Sequence, residues 1–303
     1  MEYRKFTGKN ENVIKYVFTG EDYVLESVLY KYPEYMERTV ICCSVMSGCP
    51  VGCTFCGTGN KFIKNIESTL IVDQINTVLE DVNIKDKMNE CKKFQIMFMS
   101  MGEPLLNWDN VEIAIKELNV LYPNAQLLLS TIAPKKPENF RRLIELAEEI
   151  DKVGLQFSIH KSTDEARTKL IPYKNKYSLR EIRDIGIYFY AKTGRKAYCN
   201  YCIDGTNNTD EDANNLLNLF SPTAFCFTFS VVCSADETMK DAGYRNLEAI
   251  RTFETKFIEN GYNTRIFDPA GQDDIGGGCG QLWYVQDWMK NHKKWWISSF
   301  LIV

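Results

Sequence analysis

Residues 47–59 read SGCPVGCTFCGTG, and three cysteines, Cys49, Cys53 and Cys56, fall within them at the spacing C-x3-C-x2-C. Gly48, Gly52, Gly57 and Gly59 surround the thiols, a composition suited to a backbone that wraps closely around something rather than to a core strand. Structural zinc takes four ligands, commonly in C-x2-C pairs, and only Cys42 or Cys43 stands near enough to complete such a set. Buried cysteines packing as small apolar side chains are the plain alternative. An iron–sulfur cluster suits the spacing best. Three thiolates on a four-iron cube leave one iron open to hold a substrate or cofactor.

The cysteine stretch follows an apolar β-type run, Thr39–Val45, and that arrangement returns along the chain. Further runs at Phe94–Met101, Gln126–Ile132, Gly154–His160, Lys196–Ile203, Ala224–Val232 and Asn263–Phe267 alternate with helical patterns. Those patterns cover Leu70–Val82, Val111–Tyr122, Glu138–Ile150, Leu179–Lys192, Asp210–Phe220 and Leu247–Asn260. Asn107, Ser178 and Thr209 read as helix caps, and Gly194 and Gly261 as stops. The alternation predicts an α/β chain with a mostly parallel sheet and right-handed crossovers. The expected architecture is a partial (β/α)6-type barrel over 39–303, closing with a C-terminal helix. A short N-terminal β extension over 1–38 precedes it, carried by NVIKYVF and YVLESVLY.

In a barrel the C-terminal strand ends carry the chemistry. The unusual residues fall there. The three cysteines follow the first strand, Gly102 and Glu103 follow the second, Ser130 and Thr131 end the third, and Ser158 and His160 end the fourth.

The net charge of −4 argues against a protein that coats nucleic acid by charge alone. Lys161 to Lys196 nevertheless hold ten Lys/Arg against four Asp/Glu, with tyrosines interleaved. Such a stretch reads either as a surface for phosphates and splayed bases or as a solvated helix face. The opening MEYRKFTGKNENVIKY lacks the apolar core of a secretory signal, and WWISSFLIV is too short to span a bilayer. The expected location is the cytoplasm, with no membrane partner. Eleven cysteines in such a compartment point to metal or thiol chemistry, not to a disulfide framework. Cys91, Cys199, Cys202, Cys226 and Cys233 read as core residues.

The C-x3-C-x2-C spacing, with Phe55 just before the last cysteine and MSMGEPL after the second strand, resembles the signature of radical S-adenosylmethionine (SAM) enzymes. Other segments narrow the likeness. ICCSVMSGC places Cys42 ahead of Cys49, and FMSMGEPLLNWDNV holds a Gly-Glu-Pro-Leu block. FSIHKSTDEARTKLIPYKNKY combines Ser-x-His, Asp-x-x-Arg and Ile-Pro-x-x-x-Lys-Tyr, and QDDIGGGCGQL carries Cys279. From Asn12 to Leu282 the chain resembles the RlmN/Cfr family of radical SAM adenine methyltransferases.

The resemblance implies a [4Fe–4S] cluster on Cys49, Cys53 and Cys56, with SAM on the open iron. It implies contacts to SAM from Gly102, Glu103, Ser130, Ser158 and His160. Cys279 would carry the methyl group, and Cys42 would resolve the covalent enzyme–RNA adduct, leaving a disulfide for cellular thiols. The implied product is an adenine methylated on carbon, C2 ahead of C8, in tRNA or rRNA. A flavodoxin- or ferredoxin-type electron donor and a monomeric state are expected with it.

The sequence departs from the family in three places. The family's N-terminal helical accessory domain is not among these residues. The family's Trp-Asn-Pro block after the sixth strand is replaced by FTFSVVCSADET, so Ser234 or a neighbour would make the asparagine's contact to SAM. Gly277 and Gly278 stand where the family has two alanines. These departures keep two other readings open: a radical SAM enzyme acting on a free nucleotide or other small molecule, and a non-catalytic, metal-stabilised RNA-binding protein.

Overall fold

A computed structural model describes residues 1–59, 61–233, 242–244, 246–271, 273–278 and 280–292. Three antiparallel strands open the chain, β1 (Glu2–Thr7), β2 (Val13–Thr19) and β3 (Val24–Lys31). β4 (Thr39–Cys42) pairs antiparallel with β3, setting Leu29 against Ile41. The expected N-terminal extension thus continues the edge of the barrel sheet. β5 (Met46–Gly48) and β6 (Phe62–Asn65) form a separate two-stranded hairpin whose connection holds the three cysteines.

Strand–helix alternation follows: α1 (Ser68–Asp81), β7 (Phe94–Phe98), α2 (Trp108–Leu121), β8 (Gln126–Thr131), α3 (Pro137–Glu149), β9 (Val153–Ser158), α4 (Asp164–Leu170) and α5 (Leu179–Thr193). β10 (Ala197–Ile203), α6 (Asp210–Leu219), β11 (Phe225–Cys233), β12 (Ala242–Tyr244), α7 (Leu247–Glu259), β13 (Thr264–Phe267) and α8 (Tyr284–Asn291) complete it. β4, β7, β8, β9, β10, β11 and β13 pair in parallel in that order. This is the open, partial α/β barrel that the alternation predicts.

The period of two sorts each strand. Ile41, Ile96, Phe98, Leu127, Leu129, Leu155, Phe157, Tyr201, Phe227 and Phe229 join the helices in one apolar core. Cys42, Met97, Gln156, Asn200, Thr228 and Ser230 face the barrel interior, where they line a cavity. α1 offers Ile71, Ile75, Val78 and Leu79 at helical spacing to that core. β2 and β3 are buried on both faces. Tyr16, Phe18, Leu25 and Leu29 join the main core, while Val17 and Val24 pack on Leu282, Val285 and Trp288.

Ser178 and Thr209 each form a capping box, with Glu181 and Asp212 respectively, and Gly194 ends α5 in the left-handed region. Asn107 differs from expectation. It precedes α2, but its amide makes no cap and donates instead to the carbonyls of Val45 and Ile66, both at 2.8 Å. A side chain committed to two buried carbonyls ties the start of α2 to the cysteine hairpin and is lost as a cap.

Candidate active site

The cysteine loop begins at a turn only glycine can make. Gly48 has φ +76°, and a Cβ there would lie 1.9 Å from the Lys61 carbonyl oxygen. Cys49 N–H donates to that same carbonyl at 2.7 Å, and Thr54 N–H donates to the Leu170 carbonyl at 3.0 Å. The loop is therefore tied to β6 on one side and α4 on the other. Cys49, Cys53 and Cys56 are all half-buried. Cys49 and Cys53 border Val51, Ile132 and Ile171, and Cys56 borders the cluster around Met101 and Leu282. Burial pushes the Cys49 thiol up to about 12, opposed by hydrogen bonds from the Val51 and Gly102 backbone that favour the thiolate. Among the described residues no three His, Cys, Asp or Glu side chains converge as a single ion requires.

Glu103 sits at the end of β7, wholly enclosed. Oε1 accepts from Thr131 Oγ1 at 2.6 Å and Leu105 N–H at 3.1 Å, and Oε2 accepts from Ile132 N–H at 2.9 Å. Burial raises its pKa to about 7 in spite of these three donors and the nearby Arg167 charge. One of its four lone-pair positions has no partner among the described residues. The preceding Gly102, φ +103°, packs where a Cβ would strike Met46.

The polar interior continues around the barrel. Ser130 and Ser158 place their hydroxyl oxygens 3.2 Å apart, Gln156 donates to Ser130 at 3.1 Å, and Ser230 donates to Asn200 at 2.7 Å. His160 adopts φ +57°, unusual outside glycine. Its Nδ1 accepts from Cys202 N–H at 3.1 Å, which fixes a neutral ring protonated at Nε2. Burial, with the charges of Arg167 and Lys161, lowers its pKa to about 3. The ring meets Phe55 of the cysteine loop edge-on, centroids 5.1 Å apart.

Cys42 points inward from β4, its Sγ 3.9 Å from Met97 Sδ. Gly277, Gly278 and Gly280 line the same cavity as Cys42. Cys279 and Ser234 lie outside the described residues. The glycine loop is gripped on its backbone from several directions. Buried Lys15 donates to the carbonyls of Gly276 at 3.0 Å and Gln281 at 2.7 Å, and Tyr30 donates to the Gly277 carbonyl. Gly57 N–H, one residue beyond Cys56, donates to the Gly280 carbonyl at 2.6 Å. A Cβ on residue 277 would lie 2.7 Å from the Ala270 carbonyl oxygen. That is a physical reason for glycine at this position.

Several residues of this arrangement escape a reading by motif. Gln156, Asn200 and Ser230 are signalled only as polar residues at inward positions of otherwise apolar strands. Arg167 lies in the basic stretch yet is wholly buried. It donates to the carbonyls of Tyr177 at 2.9 Å, Ile132 at 2.6 Å and Ser158 at 3.3 Å, stitching the ends of β8 and β9. Much of the rest of that stretch is also engaged: Lys161 with Asp204 at 2.6 Å, Lys176 with the Tyr173 carbonyl, Arg195 with the Val153 carbonyl. Lys174, exposed, borders a recess beside Cys53, Cys56 and Tyr173, and exposed Lys169 borders another beside Thr54.

Residues 43–220 match the Radical SAM superfamily. Over 280 residues the chain is 36% identical to the probable dual-specificity RNA methyltransferase RlmN of Dictyoglomus turgidum, covering 89% of this chain and 76% of that protein. It is 31% identical over 287 residues to the protein of the same name from Thermotoga neapolitana, covering 92% and 78%. The crystal structure of a radical SAM methyltransferase from Sphaerobacter thermophilus superposes with a TM-score of 0.78 at 25% identity, over 92% of this chain and 79% of that one. The barrel and its cysteine loop are those of a radical SAM enzyme. Within that superfamily the chain belongs to the RlmN family of methyltransferases.

A [4Fe–4S] cluster and SAM are the cofactors that membership brings. The residues present fit them. A glycine-turned loop offers three thiols, and an enclosed carboxylate near neutrality, with a lone pair to spare, is suited to an ammonium. No helix among the described residues is long and apolar enough to cross a membrane.

Proposed function

We propose that this enzyme methylates an adenine carbon of RNA, C2 ahead of C8, through a one-carbon unit carried on Cys279. One observation carries the reading: Cys42 and the glycine loop on either side of residue 279 line a single cavity inside the barrel. When bound, the cluster and SAM supply the methyl group and the 5′-deoxyadenosyl radical that activates it.

The chain's own residues do the rest. Cys49, Cys53 and Cys56 hold the cluster. Glu103 offers its remaining lone pair to the SAM ammonium, while Gly102, Ser130 and Ser158 shape the polar wall beside it. His160, with Nδ1 committed to Cys202, has only Nε2–H to offer the cofactor. The family asparagine's contact falls to Ser234 or a neighbour. The Cys279 thiolate accepts the methyl group and later holds the adenine as a thioether. Cys42 as thiolate then attacks the Cys279 sulfur; the bond between that sulfur and the transferred carbon breaks with its electron pair left on the adenine side, the ring carbon loses its proton, the transferred carbon takes one up to become the methyl group, and a Cys42–Cys279 disulfide forms for thiols to reduce. A reducing cytoplasm keeps both thiols ready.

The acceptor is tRNA or rRNA, with a flavodoxin- or ferredoxin-type electron donor as the second partner and a monomer as the working unit. Lys169, Lys174 and Tyr173 stand beside the cysteine loop, where phosphates and an unstacked base could be met. The test is anaerobic incubation of the cluster-loaded protein with SAM, a peptide mass spectrum across Cys279, and nucleoside analysis of added tRNA and rRNA. One methyl on Cys279 and methyladenosine in either RNA are expected. An unmodified Cys279 in a fully loaded protein would overturn the carrier mechanism, and a methylated Cys279 with no methyladenosine would overturn the RNA acceptor.

A further inference from the structure

The end of the barrel remote from the cysteine loop holds a second cavity, of about 480 Å³. It is ringed by residues at or near the starts of parallel strands. Lys93 precedes β7, Lys152 precedes β9, Arg195 and Lys196 precede β10, and Arg265 lies on β13. Asp151 is the one carboxylate among its lining residues. Five cations against one anion is a marked local excess in a chain of net charge −4.

The fold neutralises little of this excess: Asp151 lies 3.9 Å from Lys152 Nζ, and among the described residues no carboxylate forms an ion pair with the other four cations. Lys93 stands near Arg38 and Arg265, and burial together with those two like charges holds its ammonium below the usual range. Arg265 donates to Thr228 Oγ1 at 2.8 Å and lies over the Tyr198 ring at 5.2 Å. Arg38 donates to Gln95 Oε1 at 3.1 Å and lies over the Tyr32 ring at 4.9 Å. Both guanidinium groups are thus aimed by neutral groups. Among the described residues no carboxylate forms an ion pair with Lys93, Arg38 or Arg265. Like charges held together cost free energy unless an anion meets them.

We propose that this basal mouth binds a small polyphosphate anion, free or as part of a nucleoside triphosphate. A concavity of this size admits a short phosphate chain among converging cations. An RNA duplex presents its phosphates on a convex ridge and cannot bring them inside. The site adjoins the methyl-transfer centre. Met97, Met99, Gln156 and Arg265 line both cavities, and Met97 touches Cys42.

Isothermal titration of the full-length, cluster-loaded protein with tripolyphosphate and with ATP tests this, at about 0.15 M salt to screen diffuse attraction. Saturable one-site binding is expected. Lys93→Glu and Lys152→Glu should each weaken it about tenfold, and Lys116→Glu, on the outer face of α2, should leave it unchanged. Lys93 is exposed and Lys152 half-buried, and circular dichroism verifies that the variants fold. Tighter binding of ATP than of tripolyphosphate assigns the site to a nucleotide, and equal binding assigns it to the phosphate chain alone. Absence of saturable binding, equal weakening by Lys116→Glu, or displacement by RNA at matched phosphate concentration would each overturn the proposal.

Discussion

Lys15 Nζ lies 2.7 Å from Glu26 Oε2, and both side chains are wholly buried. The same ammonium holds the carbonyls of Gly276 and Gln281, and Glu26 Oε1 accepts from Tyr284 N–H at 3.0 Å. An ion pair from the N-terminal hairpin therefore brackets residue 279 from both sides in the sequence. Removing two charges from water costs several kcal/mol per ion, which only close partners offset.

Lys15→Met strands the Glu26 carboxylate and is expected to cost about 3–5 kcal/mol. Glu26→Met should cost about as much, and the double variant clearly less than the sum. Urea unfolding measures the three. Hydrogen exchange over 276–281 should rise in all of them. Strict additivity would show that the two groups act separately.

His160 sets part of the acid limb. An unfolded imidazole takes up its proton near pH 6.5, whereas the folded one resists until about 3. Its contribution to stability is whole above 6.5 and is lost as pH falls through that window. Between pH 7 and 5 the loss is about 2 kcal/mol. His160→Asn keeps a residue that tolerates the left-handed backbone and removes the proton uptake. Its stability should fall about 2 kcal/mol less than the parent's over the same interval, by urea unfolding at both pH values.

Gly48→Ala places a methyl group against the Lys61 carbonyl at a backbone angle alanine resists. A cost of at least about 1–3 kcal/mol is expected. Iron and sulfide analysis should show markedly less cluster per chain. A full complement of iron would mean that the loop tolerates displacement.

Glu103→Gln removes the charge while keeping most of the shape. SAM affinity should fall roughly 10- to 100-fold, or about 1.4–2.8 kcal/mol, with iron content unchanged. Because the carboxyl titrates near 7, SAM binding to the parent should weaken as pH drops below 7. Binding to the variant should not follow pH in this way. Equilibrium dialysis across that range compares the two.

The main architecture was legible because the barrel strands announce themselves twice, by apolar alternation and by the chemistry at their ends. β5 and β6 were not, since Met46–Gly48 and Phe62–Asn65 are too short for a period to show and are shaped by the loop they enclose. β1, EYRKFT, is mostly exposed and carries too few apolar residues to read as a strand. Arg167 was hidden for the opposite reason. A guanidinium among lysines reads as surface, and only the three carbonyls converging on it explain its burial. The inward polar residues Gln156, Asn200 and Ser230 were visible as exceptions to alternation, but their partners, Ser130 for Gln156 and each other for Asn200 and Ser230, depend on strand order, which no local pattern encodes.

The clamp from Lys15 to Gln281 joins residues 266 positions apart. Gly57, in the cysteine loop, waits on Gly280 in the same way. During synthesis the hairpin and the three cysteines leave the ribosome long before the segment that locks them. The site's geometry is thus completed late, after the whole barrel has been made. That order sets the moment at which a cluster can be retained: a nascent chain holds three thiols on a loop still open on one side.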